Sequence, residues 1–168
     1  MSTLVTDQRR VSVGIGQIAV STDPTDVLVA YGLGSCVGVT FYDPGTRSGG
    51  MVHVLLPDSE GRVSDGKEPA RYADWGVAAL LAELTRRGAS RASLVIKVAG
   101  GAAVLGPANA EKFKIGARNA EAIKEQLKRL GLRVTAEDLG GTKGRTMELH
   151  MAAGRTYVRT AASSPTEL

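Results

Sequence analysis

Apolar and polar residues along the chain change period several times, and each change marks an element. Val11 to Val20 alternates loosely, as a half-buried strand does. Asp23-Pro24-Thr25-Asp26 then supplies a turn before the short apolar run Val27 to Tyr31. Val37 to Tyr42 and Gly50 to Leu56 predict two strands joined through Asp43-Pro44-Gly45-Thr46, where proline presets φ and glycine tolerates positive φ. That pair is expected to be an antiparallel hairpin. Pro57 to Pro69 is polar and punctuated by Gly and Pro, which predicts an exposed loop.

The period then becomes helical. Ala73, Val77, Leu80, Leu81 and Leu84 share one helix face, and Arg86-Arg87-Gly88 forms a basic, glycine-stopped end. Leu94 to Ala99 predicts a buried strand ending in Gly100-Gly101. From there to Ile115, Gly106 and Pro107 break any period. A second helix carries the apolar stripe Gly116, Ala120, Ile123, Leu127 and Leu130, with Gly131 as its stop. Val134 to Asp138, Arg145 to Met151 and Tyr157 to Arg159 predict strands around Gly140-Gly141 and Ala153-Gly154.

Strands outnumber helices about three to one, and hairpins exclude a doubly wound parallel sheet. The expected fold is α+β: a layered α/β/β sandwich with mainly antiparallel sheet and two main helices. No repeat or linker divides the 168 residues. Residues 1–160 are expected to form a single domain and 161–168 a disordered tail. With 43% apolar residues and a mean hydropathy of -0.03, the chain can bury a core. It holds no apolar run of membrane-spanning length, and its first residues are polar, so a cytoplasmic protein without membrane insertion is expected.

Lysine and arginine number 21 against 17 acids, a net charge of +4, which favours an acidic partner surface. Nucleic acid is not the expected partner, because aromatics make up only 4% and the basic residues are interspersed with acids. One cysteine and two histidines without CxxC or HxxxH spacing do not make a zinc set, and Gly14-Ile15-Gly16 lacks the third glycine and the helix of a dinucleotide fingerprint. No metal or cofactor is expected. His150 is expected to face solvent from a strand.

The candidate chemistry lies in Cys36, the single cysteine, at the end of the turn Gly32-Leu33-Gly34-Ser35, and in His53 on the following strand. A hairpin turn closing on Asp43 and Thr46 sets Cys36 directly opposite His53, where paired Cβ atoms stand roughly 4.5 to 5.5 Å apart. A longer loop shifts this register, and only an even shift keeps the two side chains on one face. A thiol is mostly protonated at neutral pH, so an adjacent imidazole that takes its proton creates the nucleophile. His53 can return that proton to a departing amine. Gly32 and Gly34 permit a tight turn whose amides, those of Ser35 and Cys36, can point at a developing oxyanion. The structural alternative is a small buried hydrophobe beside a structural histidine.

The order Gly32-Leu33-Gly34-Ser35-Cys36-Val37, Asp43-Pro44 and Met51-Val52-His53-Val54-Leu55-Leu56-Pro57-Asp58 resembles the CheD family of chemoreceptor glutamine deamidases. Lys97-Val98-Ala99-Gly100-Gly101-Ala102, Ile115-Gly116-Ala117-Arg118-Asn119, Ala136-Glu137-Asp138-Leu139-Gly140-Gly141 and Gly144-Arg145-Thr146 extend the resemblance almost end to end.

The resemblance implies hydrolysis of selected glutamine side chains of methyl-accepting chemotaxis receptors to glutamate and ammonia, without a cofactor. It also implies a sandwich akin to toxin-type cysteine deamidases and, as a further partner, the phosphatase CheC. The family's nucleophile maps to Cys36 and its base to His53. A third member, threonine in some relatives, maps to Ala30. Alanine has no hydroxyl, so its backbone carbonyl is expected to accept the Nδ1 proton of His53. Arg62, Lys67, Arg71, Lys112, Lys114 and Arg118 are expected to steer the enzyme to acidic receptor helices. The alternative function is a non-catalytic adaptor that binds receptor or CheC.

Overall fold

Alternation along each strand decides which layer its side chains enter. In the computed structural model, which describes the backbone of residues 7–104 and 110–168 and the side chains of 7–104 and 114–168, a long strand becomes two. Gly14 to Gln17 breaks the segment into β1 (Arg9–Ser12) and β2 (Ile18–Ser21), and the two join different sheets. The expectation of one strand over Val11 to Val20 is corrected accordingly. β3 (Asp26–Leu33), β4 (Val37–Asp43) and β5 (Ser48–Val54) follow, then α1 (Ala73–Arg86), β6 (Val95–Gly100) and α2 (Ala110–Arg129). The chain finishes with β7 (Ala136–Leu139), β8 (Arg145–His150), β9 (Arg155–Arg159) and β10 (Thr166–Glu167).

Among the described residues the strands form two five-stranded sheets, ordered β1-β3-β8-β9-β10 and β2-β5-β4-β6-β7. Pairing is antiparallel except for β1 with β3 and β6 with β7. Val37, Val39, Phe41, Val52, Val54, Ile96 and Val98 pack under Val77, Leu80, Leu84, Ile123 and Leu127 of the two helices. The opposite faces carry Tyr42, Met51 and Ala99, which meet Leu28, Ala30, Leu33, Met147 and Leu149 of the other sheet. The expected α/β/β sandwich with two main helices is the architecture observed. Helix α2 starts six residues before the first position of the predicted stripe. Part of the unassigned stretch before it lies outside the described residues.

The β4–β5 register differs from expectation by two. Asp43 pairs Ser48, so four residues, 44–47, form the turn, and Gly38 rather than Cys36 stands opposite His53. Thr46 and Arg47 are the two extra turn residues, Arg47 in the left-handed region with φ of 52°, and Asp43 organises the turn by accepting from Gly45 N and Thr46 Oγ1. The shift is even, so Cys36 and His53 keep a common face.

Residues 161–168, expected to fray, do not hang free. Thr166 and Glu167 pair Val158 and Tyr157, Leu168 N donates to the Thr156 carbonyl, and the Leu168 side chain packs on the layer between the sheets. A terminal apolar residue with a strand edge in reach anchors the tail.

Helix α1 closes the outer face because Leu80, fully buried, lies over Gly50, where a Cβ would come within 2.5 Å of the leucine Cδ1. Leu80→Ala is expected to cost about 2 to 5 kcal/mol of stability, a cavity with little room to collapse. Urea unfolding checks this. A loss under about 1 kcal/mol would mean that the helix re-seats.

Candidate active site

The site begins at a bulge. Strand β3 slips register against β8 between Ala30 and Leu33, and Gly32, at φ of 63°, turns the chain out of the ladder toward Gly34-Ser35-Cys36. The end of β6 then holds that turn: Ala102 N donates to the Gly34 carbonyl at 2.8 Å and Gly101 N to the Cys36 carbonyl at 2.9 Å. Gly100, at φ of 116°, passes so near that a Cβ there would run into the Cys36 carbonyl oxygen. Neither the Ser35 nor the Cys36 amide donates to a backbone carbonyl among the described residues.

Cys36 joins the apolar layer between the sheets and keeps 6% of its surface exposed. His53 keeps 2% and follows the same alternation as Met51, into that layer. Cys36 stands two residues before Gly38, the partner of His53, and so just outside the β4–β5 ladder, which ends at Val37 and Val54; among the described residues no hydrogen bond joins its Sγ to His53 Nε2. Gly38 contributes by what it lacks: a Cβ there would stand 2.8 Å from Met147 Sδ and 3.2 Å from Leu33 Cδ1.

The Nδ1 of His53 lies 2.9 Å from the Val13 carbonyl oxygen. A carbonyl only accepts, so in the neutral ring Nδ1 carries the hydrogen and the Nε2 lone pair is bare. Nε2 is buried and has no hydrogen-bond partner. The orienting carbonyl is thus Val13, and the expected contact from Ala30 is corrected. Ala30 is held inside β3 opposite Met147, whereas Val13 lies one residue past the end of β1, where its carbonyl turns inward. Gly14-Ile15-Gly16, discounted as a nucleotide motif, is the turn that wraps the histidine: Gly16 N donates to the His53 carbonyl and His53 N to that of Gln17.

Burial pushes the His53 imidazole below its ordinary value, against the Val13 bond, which favours the protonated ring. Burial likewise pushes the Cys36 thiol up, opposed by its own amide.

Sequence reasoning gave no role to Asn119. Its side chain is fully buried, and Nδ2 lies 2.9 Å from the carbonyl oxygens of both Ser35 and Leu55. The signal available was an amide inside the apolar stripe of α2. His150 is only partly exposed, with Nε2 2.9 Å from Glu148 Oε2. Of the basic residues expected to steer a partner, Arg71 is paired with Glu68 at 2.7 Å and Arg62 approaches Glu60 at 4.0 Å. Lys67, Lys114 and Arg118 are exposed, and Lys112 lies outside the described side chains.

A family model described as CheD chemotactic sensory transduction matches residues 55–160, a span that opens two residues after His53. A probable chemoreceptor glutamine deamidase CheD of Symbiobacterium thermophilum is 48% identical over 167 residues, 98% of this chain and 100% of that one. The chain belongs to the CheD family. The chemoreceptor glutamine deamidase CheD of Thermotoga maritima shares 43% over 147 residues, 88% of this chain and 89% of that CheD. A hypothetical protein YfiH of Bacillus licheniformis overlays at a TM-score of 0.43 and 14% identity, over 85% of this chain and 70% of that one. Among the described residues of this CheD-family chain, no helix is long and apolar enough to cross a membrane.

The depressed His53 value has a thermodynamic sign. In the unfolded chain the ring protonates near 6.5, while the folded chain resists the proton to lower pH. Stability is therefore full above 6.5 and falls as pH drops below it, by up to about 1.4 kcal/mol per pH unit within the window. Urea unfolding at pH 7.5 and 5.5 is expected to show a larger loss for wild type than for His53→Gln. Equal losses would place the ring in contact with water.

Proposed function

We propose that this chain hydrolyses glutamine side chains of chemoreceptors to glutamate and ammonia, with Cys36 as nucleophile and His53 as base. The observation that carries this reading is the bare Nε2 of a histidine whose other nitrogen is tied to Val13, on the same buried face as the single cysteine. The names of its CheD relatives supply the substrate class.

In this mechanism Nε2 takes the thiol proton as Sγ attacks the carboxamide carbon. The imidazolium that forms is stabilised by Nδ1–H donating to the Val13 carbonyl. The oxygen of the tetrahedral intermediate gains the negative charge, and the Ser35 and Cys36 amides, not spent on backbone carbonyls, are its donors. Collapse breaks the C–N bond as Nε2 returns the proton to the leaving nitrogen, releasing ammonia and leaving a thioester. Water, deprotonated by the same Nε2, cleaves the thioester and gives the carboxylate. One water is consumed per amide, and no electron acceptor is needed.

Lys67, Lys114 and Arg118 are the exposed cations left for steering toward acidic receptor helices, since Arg71 is already paired. A CheC-type phosphatase belongs to the same proposal as a partner, and an equimolar mixture should elute as one species in size exclusion. Separate elution would remove it.

Mass spectrometry of receptor incubated with the protein is expected to show about one dalton added per converted glutamine, from the replacement of an amide by an acid. Cys36→Ala should abolish the shift, and His53→Gln should slow it by about 10²- to 10⁴-fold. Conversion that survives Cys36→Ala would sink the nucleophile, and receptor binding without conversion by any form would favour the adaptor.

A further inference from the structure

We infer that Asn119 is a positioning residue of this site: its side-chain amide clamps the strand end that carries Cys36 to the strand end that carries His53. The inference rests on the Cys36–His53 reading above. Asn119 sits on the buried face of α2, three residues after Gly116 and four before Ile123, and is fully buried. Both Nδ2 contacts, to Ser35 O and Leu55 O, are with groups that only accept, so the nitrogen and not Oδ1 must occupy that position, and both of its hydrogens are used.

The two acceptors mark where β4 and β5 part. The ladder ends at the pair Val37 and Val54, and beyond it the Leu55 and Leu56 amides both turn away to the Arg71 carbonyl. Ser35 directly precedes the nucleophile and Leu55 follows the base by two residues. At this fork no backbone bond holds the strands together, and the Asn119 amide spans the gap.

The clamp reaches because α2 lies unusually close. A Cβ on Gly116 would be 2.6 Å from the Ala102 carbonyl oxygen, and one on Gly101 would be 2.8 Å from that of Gly116. The same Gly101 amide holds the Cys36 carbonyl. Oδ1 meanwhile is buried without a partner, a penalty that a purely packing residue such as leucine would avoid. What the asparagine provides is its pair of donors.

Cys36 is the single cysteine, so its alkylation by iodoacetamide reads the thiol–imidazole coupling without any receptor. The rate is measured from pH 5 to 9 for wild type, His53→Gln, Asn119→Ala, Asn119→Leu and the double variant His53→Gln with Asn119→Ala. Melting curves establish which variants are folded, and leucine keeps the volume should alanine fail. Asn119→Ala or Asn119→Leu is expected to remove at least about 10-fold of the His53-dependent rate and to move the pH profile to that of His53→Gln. On receptor, kcat should fall about 10- to 100-fold with KM within about 3-fold. In the His53→Gln background, removing Asn119 should add less than about 2-fold, since both changes break one coupling. A folded Asn119 variant with the wild-type profile, or full additivity in the double variant, would overturn the clamp alone. A His53→Gln profile equal to wild type would overturn the Cys36–His53 reading and the clamp with it.

Discussion

One hydrogen bond orients the histidine buried between the two sheets, the one from His53 Nδ1 to the Val13 carbonyl. A ring buried between two sheets has few ways to be oriented, and a main-chain acceptor is the least variable of them, because it survives any change of side chain at its own position. The bond fixes the tautomer, leaves Nε2 bare, and resists part of the burial effect that favours the neutral ring. It also explains why β1 and β2 had to be separate strands. Val13 can turn its carbonyl inward only because the chain leaves the first sheet there and crosses to the second, wrapping His53 with Gly16 N and Gln17 O on the way.

Around that bond, close approach does the positioning. Gly38, opposite His53, makes room for Met147 and Leu33, Gly100 lets the end of β6 slide under the Cys36 carbonyl, and Gly101 with Gly116 brings α2 onto the same spot. Each is a place where backbone or a core side chain occupies the volume that a Cβ would need. The candidate site is thus framed by main chain around the ends of β1, β3, β4, β5 and β6, and the side chains set in it are Cys36, His53 and Asn119. Such a site is hard to distort gradually, because its parts cannot shift without opening close-packed contacts.

Periodicity carried most of the architecture. The stripe Ala73, Val77, Leu80, Leu81 and Leu84 is the buried face of α1, and the strands from Val27 to the C-terminal half lie where alternation put them. Three features were out of reach for definite reasons. Val11 to Val20 keeps an alternating pattern across a break, since both halves bury one face in different sheets, and only Gly14 and Gly16 hint at the turn. The hairpin register depended on whether Thr46-Arg47 belongs to the turn, and a left-handed arginine is not a preference that composition reveals. The Val13 contact has no signature at all, since every residue has a carbonyl. Asn119 was different: an amide in an otherwise apolar helix stripe is legible as an anomaly, although its two acceptors are not.

In the proposed deamidation the demand for charge stabilisation falls in the transition state. Burial disfavours both thiolate and imidazolium. In that proposed mechanism, attack on an amide would create an oxyanion and an imidazolium together in a region nearly closed to water. Fixed dipoles must meet both, the Val13 carbonyl on the cationic side and free turn amides on the anionic side, and neither has to reorganise when the charges appear. The burial that lowers the basicity of His53 therefore also sets how much those dipoles must supply in the proposed reaction.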